Sequence, residues 1–239
     1  MSYLPSREQK ESYVRELFNN ISRGYDRTNR LMSLGRDDRW RQMVVHRAEV
    51  KQGSHVLDVC CGTAKLSLQL AEAVGLEGKV TGLDFSENML EIGRLNIAST
   101  PYKDIITLIQ GNAMELPFED NQFDAVTVGW GLRNVPILES ALKEMIRVLK
   151  PGGKIVSLDM SKPSAPVFKQ VYWLYFEKLV PMLGQLSAGK ANAYHYFCES
   201  AKEFPEAKKL CNIFSSEGLK ETRYTNLMGG TLAIVEGRK

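Results

Sequence analysis

The chain has 239 residues, 44% of them hydrophobic, enough for one substantial α/β domain with additions and not requiring two. A formal net charge of +3, from 31 basic and 28 acidic residues, lacks the basic surplus of a nucleic-acid-binding protein. Four cysteines (Cys60, Cys61, Cys198, Cys211) make no C-x-x-C pair and read as reduced cytoplasmic thiols, the first residues hold no apolar signal segment, and no run reaches the roughly 18 apolar residues of a membrane span.

From the amino end, Val14, Leu17, Phe18 and Ile21 recur at i, i+3, i+4 and i+7, which predicts an amphipathic helix over 6–21 lying on the domain as a lid. The next stretch, SRGYDRTNRLMSLGRDDRW, is dense in arginine yet holds Tyr25, Leu31, Met32 and Leu34. It reads either as more of a lid spanning 1–50 or as a solvated surface loop. Asp37 or Asp38 then caps a helix reaching Glu49, with Trp40, Met43, Val44 and Arg47 on one side.

Val56–Cys60 is a short apolar run, and Leu66, Leu70, Ala73 and Val74 give Ala64–Val74 helical spacing. Lys79–Leu83 is a second strand, closed by Asp84. The unit is β-α-β, with the turn Cys61-Gly62-Thr63-Ala64 at the carboxyl end of its first strand, where open parallel sheets bind ligands. Small residues there let a ligand approach the backbone, and Asp84 is placed to accept hydrogen bonds from ribose hydroxyls, so the ligand is expected to carry a nucleoside. A dinucleotide is disfavoured, because the turn has one glycine where a pyrophosphate site needs G-x-G-x-x-G.

Ser86 caps a helix through Ile97 with Met89, Leu90 and Ile92 toward the sheet, and Ile105–Ile109 is a third strand. It leads into Gly111-Asn112-Ala113-Met114, where a short polar side chain and a neighbouring N–H can read a purine edge. Phe123–Gly129 is the fourth strand, Pro136 opens a helix through Leu149, and Pro151-Gly152-Gly153 turns into a fifth strand, Lys154–Met160. Beyond it the alternation stops. Phe168, Val171, Tyr172, Tyr175, Leu179, Met182, Leu183 and Leu186 form an aromatic-rich stripe, read either as packing on the domain or as a wall for a greasy substrate or a membrane surface. Ala201–Glu217 reads as a helix, and Leu219–Asn226 with Thr231–Glu236 as a closing antiparallel pair joined through Gly229-Gly230.

LDVCCGTA followed by GLDFSENML, with LKPGG ahead of the fifth strand, resembles the class I S-adenosylmethionine-dependent methyltransferases. Together with YDRTNRLMSLGRDDRWR, GNAMELPF, GWGLRNVP and ESAKEFP, which carry the likeness over nearly the whole chain, the sequence is similar to the quinone-biosynthesis C-methyltransferases. The resemblance implies an α/β fold: a Rossmann-like, seven-stranded, mostly parallel sheet with helices on both faces and the last strand antiparallel. It implies one methyltransferase domain over 1–239, with a helical lid at 1–50 and a helical insertion at 163–200 over the substrate site.

By the same resemblance Thr63, Asp84, Asn112 and Ala113 contact S-adenosyl-L-methionine, and Asp58 and Gly62 shape its methionine end, with no metal. The implied reaction is C-methylation of demethylmenaquinol, a prenylated naphthoquinol. Peripheral contact with the inner face of the membrane and a homodimer are further expectations, without nucleic acid. The chain departs from the family pattern twice. Lys65 stands where the turn commonly carries an acid, which speaks against a cofactor role there, and Gly129 replaces a serine of the ubiquinone branch, which favours the menaquinone branch. A methyltransferase of another quinol, phenol or sterol-like lipid, and a cofactor-binding domain without turnover, are the alternatives.

Methylating a quinol ring carbon needs electron density there, which comes from losing the proton of the neighbouring hydroxyl, whose pKa of roughly 10 leaves little anion at neutral pH. Arg133, just past strand four, is assigned to stabilise the phenolate, with Asn134 and Tyr25 orienting it, through a water that carries the proton. The alternative is that Arg133 only ties its loop to an acid such as Asp26. His195, between Tyr194 and Tyr196, is the competing base, whereas His46 and His55 read as surface or packing histidines.

Overall fold

The computed structural model describes residues 5–163 and 191–239. Five parallel strands come first: β1 (His55–Val59), β2 (Lys79–Asp84), β3 (Ile106–Gln110), β4 (Phe123–Gly129) and β5 (Leu149–Met160). β6 (Lys220–Leu227) and β7 (Leu232–Arg238) complete a seven-stranded sheet in the order β3-β2-β1-β4-β5-β7-β6, in which β7 alone runs against the other six strands. The order reverses between β1 and β4, so the crevice at their carboxyl ends is the switch point where such sheets take ligands.

Both faces of the sheet are covered, which is why the strands read as apolar runs rather than as alternating patterns. Leu57 and Val59 of β1 point into one core with Val126, Val128, Leu142, Met145 and Phe214. Val56 points into the other with Leu66, Leu70, Val80, Ala125 and Leu158. The first core is closed by α5 (Leu138–Val148) and α7 (Ala207–Ser216), the second by α2 (Asp37–Arg47) and α3 (Lys65–Val74). Ser86 caps α4 (Glu87–Ala98) as expected, its hydroxyl accepting from the Met89 N–H at 3.3 Å.

Several expectations need correcting. The first helix, α1, does not stop at Ile21 but runs Arg7–Met32, so the arginine-dense segment is helix and not loop. Its Asp26 side chain bonds to Asn96 of α4 and to Thr63 in the turn after β1, and this tertiary support carries the helix through Gly24. Neither Asp37 nor Asp38 caps α2 through its side chain. Asp37 is the first helical residue, accepts from the Ser33 hydroxyl at 2.8 Å and pairs with Arg41 at 2.8 Å. The helix expected over 201–217 is two, α6 (Ala191–Glu203) and α7, separated at Pro205, whose ring and missing N–H break an α-helix. Ile92 is only half-buried, while Gly93 and Ile97 complete the packed face of α4. The stripe Phe168–Leu186 lies outside the described residues, within which no helix is long and apolar enough to cross a membrane.

Candidate active site

The turn after β1 is the most strained piece of backbone on this edge of the sheet. Cys60, Gly62 and Ala64 have φ of 55°, 55° and 63°, and Trp130, just past β4, has 57°. For the three non-glycine residues that conformation costs on the order of 1–3 kcal/mol each, and strain of this kind concentrates at functional sites. What holds the turn is β2: the Gly62 N–H donates to Asp84 Oδ2 at 2.9 Å, and the Cys61 N–H donates to the Leu83 carbonyl at 3.0 Å. Asp84 Oδ1 accepts from the Ser86 N–H at 2.9 Å. Each oxygen thus spends one lone pair on backbone and keeps another. Burial pushes the Asp84 carboxyl up to about 6 against the pull of these amides.

Asp58 sits one layer deeper. It is 1% exposed, accepting from the Ser67 hydroxyl at 2.7 Å and the Thr127 hydroxyl at 3.0 Å, and burial pushes it up to about 7. Tyr25, Asp58, Cys60, Gly62, Thr63 and Trp130 surround a cavity of about 40 Å³ here. Burial raises the Tyr25 hydroxyl, while Arg133 pulls it down and Asp84 pushes it up, so Tyr25 stands between the two halves of the site.

α1 crosses this edge and engages it residue by residue. The Thr63 hydroxyl donates to Asp26 at 2.6 Å, Asn112 Nδ2 donates to Glu11 at 3.4 Å, and the Ser86 hydroxyl donates to Asn19 at 2.6 Å. Asn112 Oδ1 accepts from the Met114 N–H, and Ala113 is buried against the core. Lys65 pairs with Asp26 at 3.9 Å and also lines the cavity. The expected cofactor residues Asp58, Gly62, Thr63, Asp84, Asn112 and Ala113 therefore line one edge beneath one helix.

Arg133 and Asn134 lie on the short 3-10 turn Leu132–Asn134, one step along the same edge. The acid beside Arg133 is Asp159 and not Asp26, which is taken up by Thr63. Nη1 of Arg133 donates to Asp159 Oδ1 at 2.8 Å and to the Trp130 carbonyl at 2.7 Å, and the guanidinium lies 5.1 Å from the centre of the Phe197 ring. Burial works against the cation, and Asp159, Tyr25 and Tyr196 together outweigh it, so the group stays charged. Its Nε–H is buried without a partner among the described residues. Asn134 Nδ2 donates to the same Trp130 carbonyl at 3.1 Å, and its Oδ1 accepts from the Tyr196 hydroxyl at 3.2 Å.

Asp159 and Tyr196 are site residues that sequence reasoning missed. A lone acid in the apolar run of a doubly covered strand was the available signal for Asp159. For Tyr196 attention went to its neighbour His195, which is half-buried on α6. Lys10 was missed too; it donates to the Arg133 and Val135 carbonyls at 3.0 Å each, clamping α1 to the 3-10 turn, and nothing in a surface lysine announces that. His55, its ring tilted against that of Phe123 with centroids 4.5 Å apart, is a packing histidine. Among the described residues no group of three or more His, Cys, Asp or Glu is arranged to hold a metal.

The fold recurs in solved structures. A SAM-dependent methyltransferase from Aquifex aeolicus superimposes with a TM-score of 0.64 over 89% of this chain and 96% of its own, at 18% identity. One from Thermotoga maritima, described as a possible histamine N-methyltransferase, gives 0.66 over 94% and 98% at 19% identity. These likenesses establish the fold. In sequence, the demethylmenaquinone methyltransferase of Desulfitobacterium hafniense (strain Y51) is 58% identical over 234 residues, 98% of this chain and 92% of that protein. The protein of the same name from Staphylococcus haemolyticus (strain JCSC1435) is 48% identical over 96% of this chain and 95% of its own. With a family model matching residues 6–239, the chain belongs to the ubiE/COQ5 methyltransferase family.

Proposed function

We propose that this methyltransferase moves a methyl group from S-adenosyl-L-methionine to a ring carbon of demethylmenaquinol, the reduced form of the quinone that the names of the two relatives above contain. The observation that carries the chemistry is a buried arginine with an unpartnered Nε–H, one step along the sheet edge from a buried carboxylate suited to a ribose diol.

The donor set suits the cofactor. Asp84 keeps a free lone pair on each oxygen for two hydroxyls, Asn112 and Ala113 offer amide groups for a purine edge, and Thr63 with Gly62 offers a hydroxyl and a tight turn for an amino-acid end. When bound, S-adenosyl-L-methionine supplies an electrophilic methyl group on a sulfonium. α1 acts as the lid. Its Asp26, Glu11 and Asn19 hold Thr63, Asn112 and Ser86, and a cavity of about 40 Å³ is far below the roughly 300 Å³ at which ligand pockets begin, so admission of the cofactor lifts α1 from this edge.

The remaining work falls to the quinol. Arg133 stabilises the oxygen anion left when the ring hydroxyl loses its proton, satisfying the guanidinium's orphan donor. An always-charged arginine is not itself the base, so the hydroxyl proton leaves through water; once the methyl is on the ring carbon and the sulfonium has become a thioether, that carbon loses its own hydrogen as a proton and the oxygen is reprotonated, which restores the quinol. Tyr25 and Asn134 orient the ring hydroxyl. Contact with the membrane surface follows from the substrate's lipid tail. Incubation with methyl-labelled S-adenosyl-L-methionine and a reduced short-chain demethylnaphthoquinol is the direct test. Label on the ring carbon is the expected result, while label on a hydroxyl oxygen, or cofactor binding without transfer, would overturn the assignment.

Asp84 gives a second expected result. Asp84→Ala weakens cofactor binding by about 1–3 kcal/mol, the cost of leaving buried polar groups unpaired, as read by calorimetry. The wild type is also expected to bind the cofactor with a pH dependence of fixed sign. Burial raises the folded-state value above that of the free carboxyl, so the unliganded protein holds this proton up to about pH 6, and the ribose hydroxyls need the carboxylate. Affinity therefore falls roughly tenfold from pH 7 to pH 5 by proton linkage. Wild-type affinity in Asp84→Ala would move the ribose site elsewhere.

A further inference from the structure

Val135, Pro136, Ile137 and Leu138 are four apolar residues in succession between the 3-10 turn and the body of α5, with neither helical nor strand periodicity to bury them together. All four are half-buried. They line a groove of about 390 Å³ together with Phe204 and Pro205 of the α6–α7 junction and Ile213 of α7. Leu132 and Phe204, 1% and 6% exposed, are its most buried apolar residues, and Lys10, Ser200 and the exposed Glu139, Glu203 and Lys209 supply its polar lining.

We propose that this groove is the subsite for the first isoprene units of the substrate's prenyl tail. The inference rests on the reading that the substrate is a prenylated quinol. Its basis is continuity: Arg133 belongs to the groove's lining, and the chain runs directly from Arg133 and Asn134 into these four apolar residues. In a prenylated naphthoquinol the tail is attached to the carbon next to the one that receives the methyl group. A tail therefore leaves the ring within one bond of the reacting centre and must pass the residues that hold the ring hydroxyl. Going into water, it would expose apolar surface at about 25 cal/mol per Å². The groove has the volume of a ligand pocket, which runs from roughly 300 to 1,000 Å³. Lys10 fixes its position relative to the site, since its ammonium group binds the Arg133 and Val135 carbonyls at the turn where site and groove join.

The test compares Michaelis constants for a farnesyl-bearing and a tail-less demethylnaphthoquinol in wild type, Ile213→Trp and Ile213→Asp. Tryptophan fills the groove and aspartate makes it polar, at a half-buried position away from the cofactor edge. Each is expected to raise the constant for the farnesyl substrate roughly 10-fold or more, the scale on which apolar pockets discriminate, and to leave the tail-less one within about twofold. A ratio of the two constants unchanged from wild type in both variants overturns the groove's role and leaves the methyltransferase reading intact. Should the tryptophan variant melt early, the aspartate variant decides by the same ratio. Failure of the wild type to methylate either compound overturns the substrate reading, and the groove assignment goes with it.

Discussion

An Arg133→Ala enzyme is expected to turn over at least ~100-fold more slowly, the low end of what assistance to proton transfer contributes, with cofactor affinity changed by no more than a few-fold. The guanidinium faces a reaction in which negative charge appears on one oxygen, and a preorganised cation in a water-poor site stabilises that charge far more than water would. Without it, the hydroxyl ionises with something near its own pKa of roughly 10, so the variant's rate should climb steeply from pH 7 to 9 while the wild type changes much less. That recovery at high pH marks electrostatic assistance, which a merely structural role would not produce. Arg133→Lys keeps a charge able to reach Asp159 but loses the separate Nε–H that faces the site, so partial rescue is expected. If the whole loss appears in cofactor affinity instead, Arg133 belongs to the nucleotide site and the mechanism fails.

The parts of this architecture that were legible in sequence are those fixed by local signals. The β1-α3-β2 unit combines an apolar run, a small-residue turn and helical periodicity within thirty residues, and Ser86 and the closing hairpin carry their own cap and glycine signals. The arginine-dense half of α1 has no such signal, because its helicity depends on partners far along the chain: Asp26 on Thr63 and Asn96, Asn19 on Ser86 and Asn88. The break at Pro205 was legible, and the apolar spacing on either side of it simply masked the proline. Arg133's partner was a different kind of problem. Any acid was admissible until the sheet order was known, and only the pairing of β4 with β5, which sets Gly129 beside Leu158, brings Asp159 to the turn that carries Arg133. Polar groups that meet through topology, such as Tyr196 with Asn134, leave no periodicity to read.

The largest effect on stability is expected at Asp159. Its carboxylate and the Arg133 guanidinium are 1% and 5% exposed, 2.8 Å apart, and the carboxylate also accepts from the Arg133 and Met160 backbone N–H groups. Removing one member of such a buried pair strands the other charge and costs about 3–5 kcal/mol. For a chain of this size Asp159→Ala should therefore melt roughly 6–20 °C below wild type, at 2–4 °C per kcal/mol. Replacing both partners by apolar residues of similar size, Arg133→Met with Asp159→Leu, should recover most of that loss, since a buried ion pair exchanged for hydrophobic packing is often neutral or stabilising. The double variant should nonetheless stay as inactive as Arg133→Ala. Recovered stability without recovered turnover would mean that the pair is kept for the charge it holds at the site and not for the strength it lends the fold, and a double-mutant cycle measures the coupling directly. A double variant that melts as low as the single one would instead assign the loss to packing and backbone hydrogen bonds at the end of β5, and Asp159 would then be a structural residue that happens to touch Arg133.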